Sequence, residues 1–127
     1  MPHIGGTFLS SHDPKRLVAW FEDALGVPMQ RQGDGGMAPF PVGDSVAILS
    51  VQQAREDAPR PPAGPVQKEP YGRQTMMLNL RMDDLDAVLV RLTKSGSQVA
   101  GPVTYEGLGR FAWTRTPDGH DIELWEA

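Results

Sequence analysis

Residues 9–21 read LSSHDPKRLVAWF, and residues 80–92 read LRMDDLDAVLVRL. Each stretch begins like a strand, passes an aspartate that can cap a helix, and continues with apolar residues at helical spacing. The aligned pairs are Leu9 with Leu80, Asp13 with Asp84, Leu17 with Val88, Val18 with Leu89, and Phe21 with Leu92. A unit that returns about 70 residues later indicates the duplication of one supersecondary motif.

The first copy predicts a helix with defined ends. Asp13 can cap it, Pro14 suits the first helical position, and Gly26 can end it in the left-handed conformation. Its apolar stripe consists of Leu17, Val18, Phe21 and Leu25. A strand precedes this helix over Ile4 to Ser10, and the Gly5-Gly6 pair at its start allows another group to approach the backbone closely.

Three further strands complete the first half. They are expected near Pro28 to Arg31, from Met37 to Val42 and from Ser45 to Val51, separated by the turns GDGG and GD. The first half therefore reads as one βαβββ unit.

The second half repeats that order. Residues Thr75 to Met82 alternate as a strand, and a helix follows that Asp83 or Asp84 caps and Gly96 ends. Its apolar stripe consists of Leu85, Val88, Leu89 and Leu92. Segments around residues 98–104 and 111–115 and the closing strand then give βαβββ again.

A polar connector, residues 53–73, separates module one, about residues 1–52, from module two, residues 74–127. Its prolines exclude a helix interior or a central strand, so it is a linker or a loop over a site. They are Pro59, Pro61, Pro62, Pro65 and Pro70. Two βαβββ units, each with a helix on one sheet face, leave two uncovered faces that would enclose a cup.

Composition limits the function classes. The formal charge is −4 without a Lys/Arg cluster, which argues against nucleic acid and acidic membranes as partners. The absence of cysteine excludes disulfides, a thiolate nucleophile and cysteine metal sites. No signal-like or membrane-spanning stretch occurs, so we expect a cytoplasmic protein.

The chain ends in TPDGHDIELWEA, residues 116–127. A Pro-Asp-Gly turn precedes a strand in which Ile122 and Leu124 point to one face and Glu123 and Trp125 to the other. A carboxylate and an indole on the same face raise the question of whether that face is solvent or a pocket.

The sequence resembles the vicinal oxygen chelate superfamily, which contains glyoxalase I-type lyases, extradiol dioxygenases and bleomycin-resistance proteins. The resemblance rests on FLSSHDPKRLVAWFEDALGV (8–27), LNLRMDDLDAVLVRLTKSG (78–96) and GRFAWTRTPDGHDIELWE (109–126). It implies an α+β fold in which two βαβββ modules form a cup-shaped mixed sheet, as a single domain over residues 1–127.

The resemblance also implies four metal-ligand positions. These fall on Gly6, on Leu49 or Ser50, on Met77 and on Glu123. Only Glu123 is an ordinary ligand for a hard or borderline cation. We therefore expect no divalent metal and no other cofactor.

Glu123 is the candidate catalytic residue, as a general base, although an anchoring role for a ligand is favoured. Aromatic residues in short strands also serve as core, and Arg81 lies close enough to a strand end for a surface role. The candidate ligand-binding residues are Phe8, Met77, Asn79, Arg81, Phe111, Trp113 and Trp125.

Two functions remain open from the sequence. One is a metal-independent binder of a small apolar or cationic molecule, similar to bleomycin-resistance proteins. The alternative is a lyase, an isomerase or a dioxygenase-like enzyme, metal-dependent or with Glu123 as base. A homodimer is expected, because small members of the family usually pair modules between subunits and the helix flank near Trp20 offers apolar surface.

Overall fold

The computed structural model describes residues 1–61 and 63–127, so the connector proline Pro62 lies outside the described residues. Over these described residues, two helices and eight strands follow in the order βαβββ, βαβββ. They are β1 (Gly6–Ser11), α1 (Pro14–Leu25), β2 (Gln30–Gln32), β3 (Gly35–Val42), β4 (Ser45–Gln53), β5 (Leu78–Arg81), α2 (Leu85–Lys94), β6 (Val99–Tyr105), β7 (Gly109–Arg115) and β8 (Asp121–Glu126). No helix in the described part of the chain is long and apolar enough to cross a membrane.

The two modules have the same sheet topology. The first sheet has the order β1-β4-β3-β2 and the second β5-β8-β7-β6. In each, the first strand of the module pairs in parallel with the last, while the other neighbours are antiparallel. The predicted α+β class and the duplication are confirmed, but the two sheets stay separate and do not close on each other over the described residues.

Helix ends follow the sequence signals. The Asp13 carboxylate accepts a hydrogen bond from the Arg16 backbone N–H at 3.2 Å, and Gly26 adopts φ 69°. Asp84, rather than Asp83, caps α2 by accepting from the Ala87 N–H at 3.1 Å. Both helices therefore begin at the aspartates that the aligned repeats predict.

The core lies between the helices and one face of each sheet. Leu17, Val18 and Phe21 of α1 are at most 2% exposed, and Leu85 and Leu92 of α2 are fully buried. The helices also pack against each other, which joins the two modules. One continuous hydrophobic cluster therefore joins the helices to one face of each sheet, and no helix of the described residues covers the opposite faces.

Trp20 is buried in this junction, which corrects the expectation of an apolar surface flank. Only 9% of the residue is exposed, its Nε1–H donates to Ser97 Oγ at 2.9 Å, and its ring meets Phe21 edge-on. The indole therefore links α1 to module two of the same chain, because the helix–helix contact covers the flank that the sequence left open.

Two strands begin later than predicted. Strand β1 starts at Gly6, where its parallel register with β4 begins opposite Ile48. A Cβ on Gly6 would lie 2.2 Å from the Ile48 carbonyl oxygen, so the predicted close backbone approach is confirmed at this glycine. Strand β5 starts at Leu78, and Met76, inside the predicted strand but before the observed one, is 85% exposed.

A buried carboxylate ties the connector to β8. The Asp121 side chain is 1% exposed and accepts from Arg73 Nε at 2.9 Å and Arg115 Nε at 2.8 Å. Gln74 adds two hydrogen bonds to the Asp121 backbone, one through its amide oxygen and one through its amide nitrogen. Two guanidinium groups thus compensate the buried charge and fix the end of the connector.

We predict that Asp121→Asn lowers the free energy of unfolding by about 3 kcal/mol, because both arginines lose their buried anionic partner. Urea denaturation measures this change. Asp34→Asn is the matched control, since its ion pair with Lys15 is exposed on both sides and should change stability by less than about 1 kcal/mol. Equal stability of Asp121→Asn and the control would contradict the prediction.

Candidate functional site

Three polar or aromatic side chains share one row on the helix-free face of the second sheet. Asn79 of β5 lies opposite Glu123 of β8, and Glu123 lies opposite Trp113 of β7. Ile122 and Leu124, at most 2% exposed, occupy the core face of β8. Because strand side chains alternate, burial of these two neighbours directs Glu123 to the other face, as predicted.

The Glu123 carboxylate is held by three side-chain donors. Oε1 accepts from Tyr71 Oη at 2.5 Å and from Trp113 Nε1 at 3.1 Å, and Oε2 accepts from Asn79 Nδ2 at 2.8 Å. The residue is 8% exposed and Trp113 is fully buried. An ionised carboxylate offers about four acceptor positions, so these contacts leave one open, on Oε2.

Tyr71 reaches this carboxylate from the connector. Its ring packs edge-on to Trp113 with the ring centroids 6.5 Å apart, yet 60% of the residue is exposed. Burial of the hydroxyl end and the adjacent Glu123 carboxylate raise the pKa of Tyr71 to about 12. The phenol therefore stays protonated and remains a donor across the neutral pH range.

A second row, two residues further along the strands, is mainly aromatic. Phe111 and Trp125 stack with centroids 6.0 Å apart and planes 12° apart. Tyr105 meets Phe111 edge-on at 5.4 Å, and the Arg81 guanidinium lies 5.3 Å from the centre of the Trp125 ring. Trp125 Nε1 also donates to the Leu108 carbonyl at 2.9 Å, which fixes the plane of the indole.

The corresponding row of the first sheet has different chemistry. Phe8 lies opposite Ser50, and Ser50 lies opposite Met37. Leu49 is 2% exposed and belongs to the core, so Ser50 is the residue that matches Glu123. This face of module one therefore carries a phenyl ring, a hydroxyl and a thioether where module two carries an amide, a carboxylate and an indole.

The structure groups most of the predicted site residues around Glu123, but not all of them. Asn79, Arg81, Phe111, Trp113 and Trp125 occupy the two rows of the second sheet. Phe8 lies elsewhere and is 71% exposed. It lines a separate groove of 330 Å³ together with connector residues such as Pro59 and Pro61. Met77 is half-buried and precedes the first residue of β5.

A groove of 650 Å³ runs between the modules next to the edge strands β1 and β5. Asn79, Arg81 and Asp83 of module two line it together with mainly apolar residues of module one. Those residues are Ile4, Thr7, Phe40, Pro41, Ala47 and Leu49. Asn79 thus belongs both to this groove and to the row that it forms with Glu123 and Trp113.

The residues at the family's ligand positions do not fit a divalent cation. Gly6 has no side chain, and a Cβ there would collide with the Ile48 carbonyl. Ser50 and Met77 contribute a neutral hydroxyl and a soft thioether, and Glu123 already accepts three hydrogen bonds. Over residues 1–61 and 63–127, no group of three or more His, Cys, Asp or Glu side chains has metal-binding geometry.

Sequence reasoning missed Tyr71 and Tyr105. Tyr105 lies at the end of a strand just before a turn, and an aromatic residue there shares a face with Phe111 whenever β6 and β7 pair. Tyr71 stands in a polar, proline-rich segment without periodicity. The aromatic residue before Gly72 was the only available signal, and it does not identify a partner.

Comparison with protein families gives a match over residues 1–124 to the Glyoxalase/Bleomycin resistance protein/Dioxygenase superfamily. Comparison with curated proteins gives no match.

Several solved structures share the fold. An antibiotic binding protein from Streptomyces sp. CB03234, TnmS3, is 22% identical, with coverage of 99% of this chain and 96% of that one and a TM-score of 0.64. The oxidase ChaP-H2 is 19% identical, with 99% and 94% coverage and a TM-score of 0.64. A protein of unknown function from Agrobacterium tumefaciens str. C58 is 21% identical, with 100% and 95% coverage and a TM-score of 0.68.

Proposed function

Because the chain belongs to the Glyoxalase/Bleomycin resistance protein/Dioxygenase superfamily, we propose that it binds a small planar organic molecule on the helix-free face of its second sheet, without a metal. The observation that carries this proposal is the pair of adjacent rows on that face. One row provides a hydrogen-bonded carboxylate, and the other provides the stacked rings of Phe111 and Trp125.

The two rows suit different parts of one ligand. Offset or parallel stacking on an aromatic platform favours a flat apolar ring system. The Glu123 carboxylate favours a hydroxyl or N–H donor, and its negative charge disfavours an anionic ligand. A neutral or cationic planar compound with a donor group fits both. The fold shared with an antibiotic binding protein supports the same reading.

Anchoring fits Glu123 better than general-base catalysis. A base needs a lone pair directed at the substrate proton, and Oε1 already accepts from both Tyr71 and Trp113. While Tyr71 and Trp113 are bound to Oε1, Oε2 is the oxygen with room for a further hydrogen bond, which favours anchoring of a ligand over proton abstraction. The alternative enzyme, a lyase, isomerase or dioxygenase-like member with Glu123 as base, would use this same oxygen.

We predict that Trp125→Ala weakens binding of a planar compound, selected from a thermal-shift screen, by about tenfold, because the stacked platform loses its larger ring. Titration calorimetry measures the change, and Val90→Ala on the exposed side of α2 is the control. Unchanged affinity in Trp125→Ala would place the ligand elsewhere. Turnover that Glu123→Gln abolishes while binding is retained would favour the enzyme.

We predict that binding does not depend on a divalent metal. Elemental analysis after exhaustive dialysis should find less than stoichiometric zinc, manganese, iron or nickel, and a chelator should leave the melting temperature and the ligand affinity unchanged. The reason is the donor set, which offers one carboxylate where catalytic zinc normally has three protein ligands. Near-stoichiometric metal that disappears in Glu123→Ala would contradict this prediction and favour the metal-dependent enzyme.

We also propose a homodimer, now supported by the helix-free face of the first sheet rather than by Trp20. Phe8 and Val46 on this face are 71% and 51% exposed. Sedimentation velocity should show a dimer that Val46→Asp dissociates, because a buried carboxylate without a partner is costly in an interface. The control is Val90→Asp on α2, and a wild-type monomer at micromolar concentration would contradict the proposal. A cytoplasmic location stays a prediction.

A further inference from the structure

Tyr71 fills an acceptor position on the Glu123 carboxylate that a ligand's donor group could also use. Its hydroxyl donates to Glu123 Oε1, which also accepts from the Trp113 indole, and its ring lies edge-on to that indole. The row of Asn79, Glu123 and Trp113 thus already holds an aromatic ring with a hydroxyl, which comes from the protein's own connector. A hydroxyl on an aromatic ring is therefore chemically compatible with this position.

The attachment of Tyr71 is suited to displacement. With 60% of the residue exposed, its ring buries little apolar surface, and its hydroxyl makes its polar contacts among the described residues, with Glu123 and with the Trp113 indole. The Trp113 donor cannot leave as easily, because its indole is fully buried. Asn79 and Trp113 also come from strands paired with β8, whereas the phenol comes from the connector and can move without disturbing the sheet.

The backbone around Tyr71 fixes the base of the segment and leaves its tip free. Residues 70–73 form a turn in which the Arg73 N–H donates to the Pro70 carbonyl at 3.2 Å. Arg73 is tied to the buried Asp121, while Gly72 adopts φ 84°. A rotation of the Tyr71 side chain at the tip of this turn would clear the carboxylate without releasing the connector.

We propose that Tyr71 is an internal occupant of the ligand site, and that the external ligand is a hydroxy-aromatic compound whose hydroxyl replaces the Tyr71 phenol on Glu123. This inference rests on the proposed function, because it assigns a ligand class to the same face. It adds that in the free protein the Tyr71 phenol competes with the ligand for Glu123. The ring of the ligand would lie against Trp113, and further fused rings would extend toward Phe111 and Trp125 along the strand direction.

The charge of the site narrows the class of ligand further. Glu123 attracts a neutral phenol as a donor and repels a phenolate, which has no proton to donate. The raised pKa of Tyr71 is consistent with a subsite that favours the protonated phenol. A methyl ether of the same ring system accepts hydrogen bonds but cannot donate one, so it should not displace Tyr71.

The test uses naphthol as the probe and its methyl ether as the matched compound, with wild-type protein, Tyr71→Ala and Met76→Ala. Tyr71→Ala should bind naphthol about tenfold more tightly than wild type, since the competing phenol is gone. The exposed Met76, five residues after Tyr71, is the control, and its variant should bind naphthol like wild type. The methyl ether should gain less than naphthol from Tyr71→Ala.

A second measurement follows Tyr71 itself. In protein with labelled tyrosine at neutral pH, naphthol should shift the Tyr71 ring signals in proton–carbon NMR spectra toward those of an exposed tyrosine, and the ether should not. Equal or weaker naphthol binding by Tyr71→Ala, or unmoved Tyr71 signals at saturation, would overturn the inference. If naphthol binds none of the proteins but another compound of the planar screen does, the inference fails and the proposed function stands.

Discussion

The alternation of side chains along β8 is the constraint on which the rest of the structure depends. This strand lies between β5 and β7, and its Ile122 and Leu124 complete the core beneath α2. A slip of one residue would place Glu123 in that core and expose both aliphatic side chains to solvent. Core burial therefore fixes the strand register, and the register places the carboxylate between Asn79 and Trp113.

Much of the fold could be predicted because its signals are local. The capping aspartates, the glycine after α1 and the 3.6-residue stripes are encoded within one turn of each helix, and the duplication doubled that information. The faces of β8 followed from its period of two. Strand ends were less predictable, because β1 and β5 begin where a parallel partner becomes available, which depends on residues in β4 and β8.

The site could be predicted only in part, because its remaining contacts are non-local. Glu123, Trp125, Asn79 and Trp113 were found from strand alternation and from the family resemblance. Tyr71 lies 52 residues from its carboxylate partner in a segment without periodicity, so no spacing rule connects them. Likewise the burial of Trp20 depends on the packing of α1 against α2, which the pattern of either helix does not contain.

The connector joins the stability of the second module to the candidate site. Its end is held by Asp121, a fully buried carboxylate at the first position of β8, and the residue that contacts Glu123 lies only two positions before the Arg73 that makes this bond. Two carboxylates of one strand thus hold the same segment, one through buried ion pairs and one through the hydroxyl of Tyr71, a residue that is 60% exposed. Because buried ion pairs resist separation far more than hydrogen bonds made by one largely exposed side chain, opening at the site would begin at Tyr71 and stop at Arg73. The same chain geometry therefore allows the carboxylate to become accessible while the module stays folded.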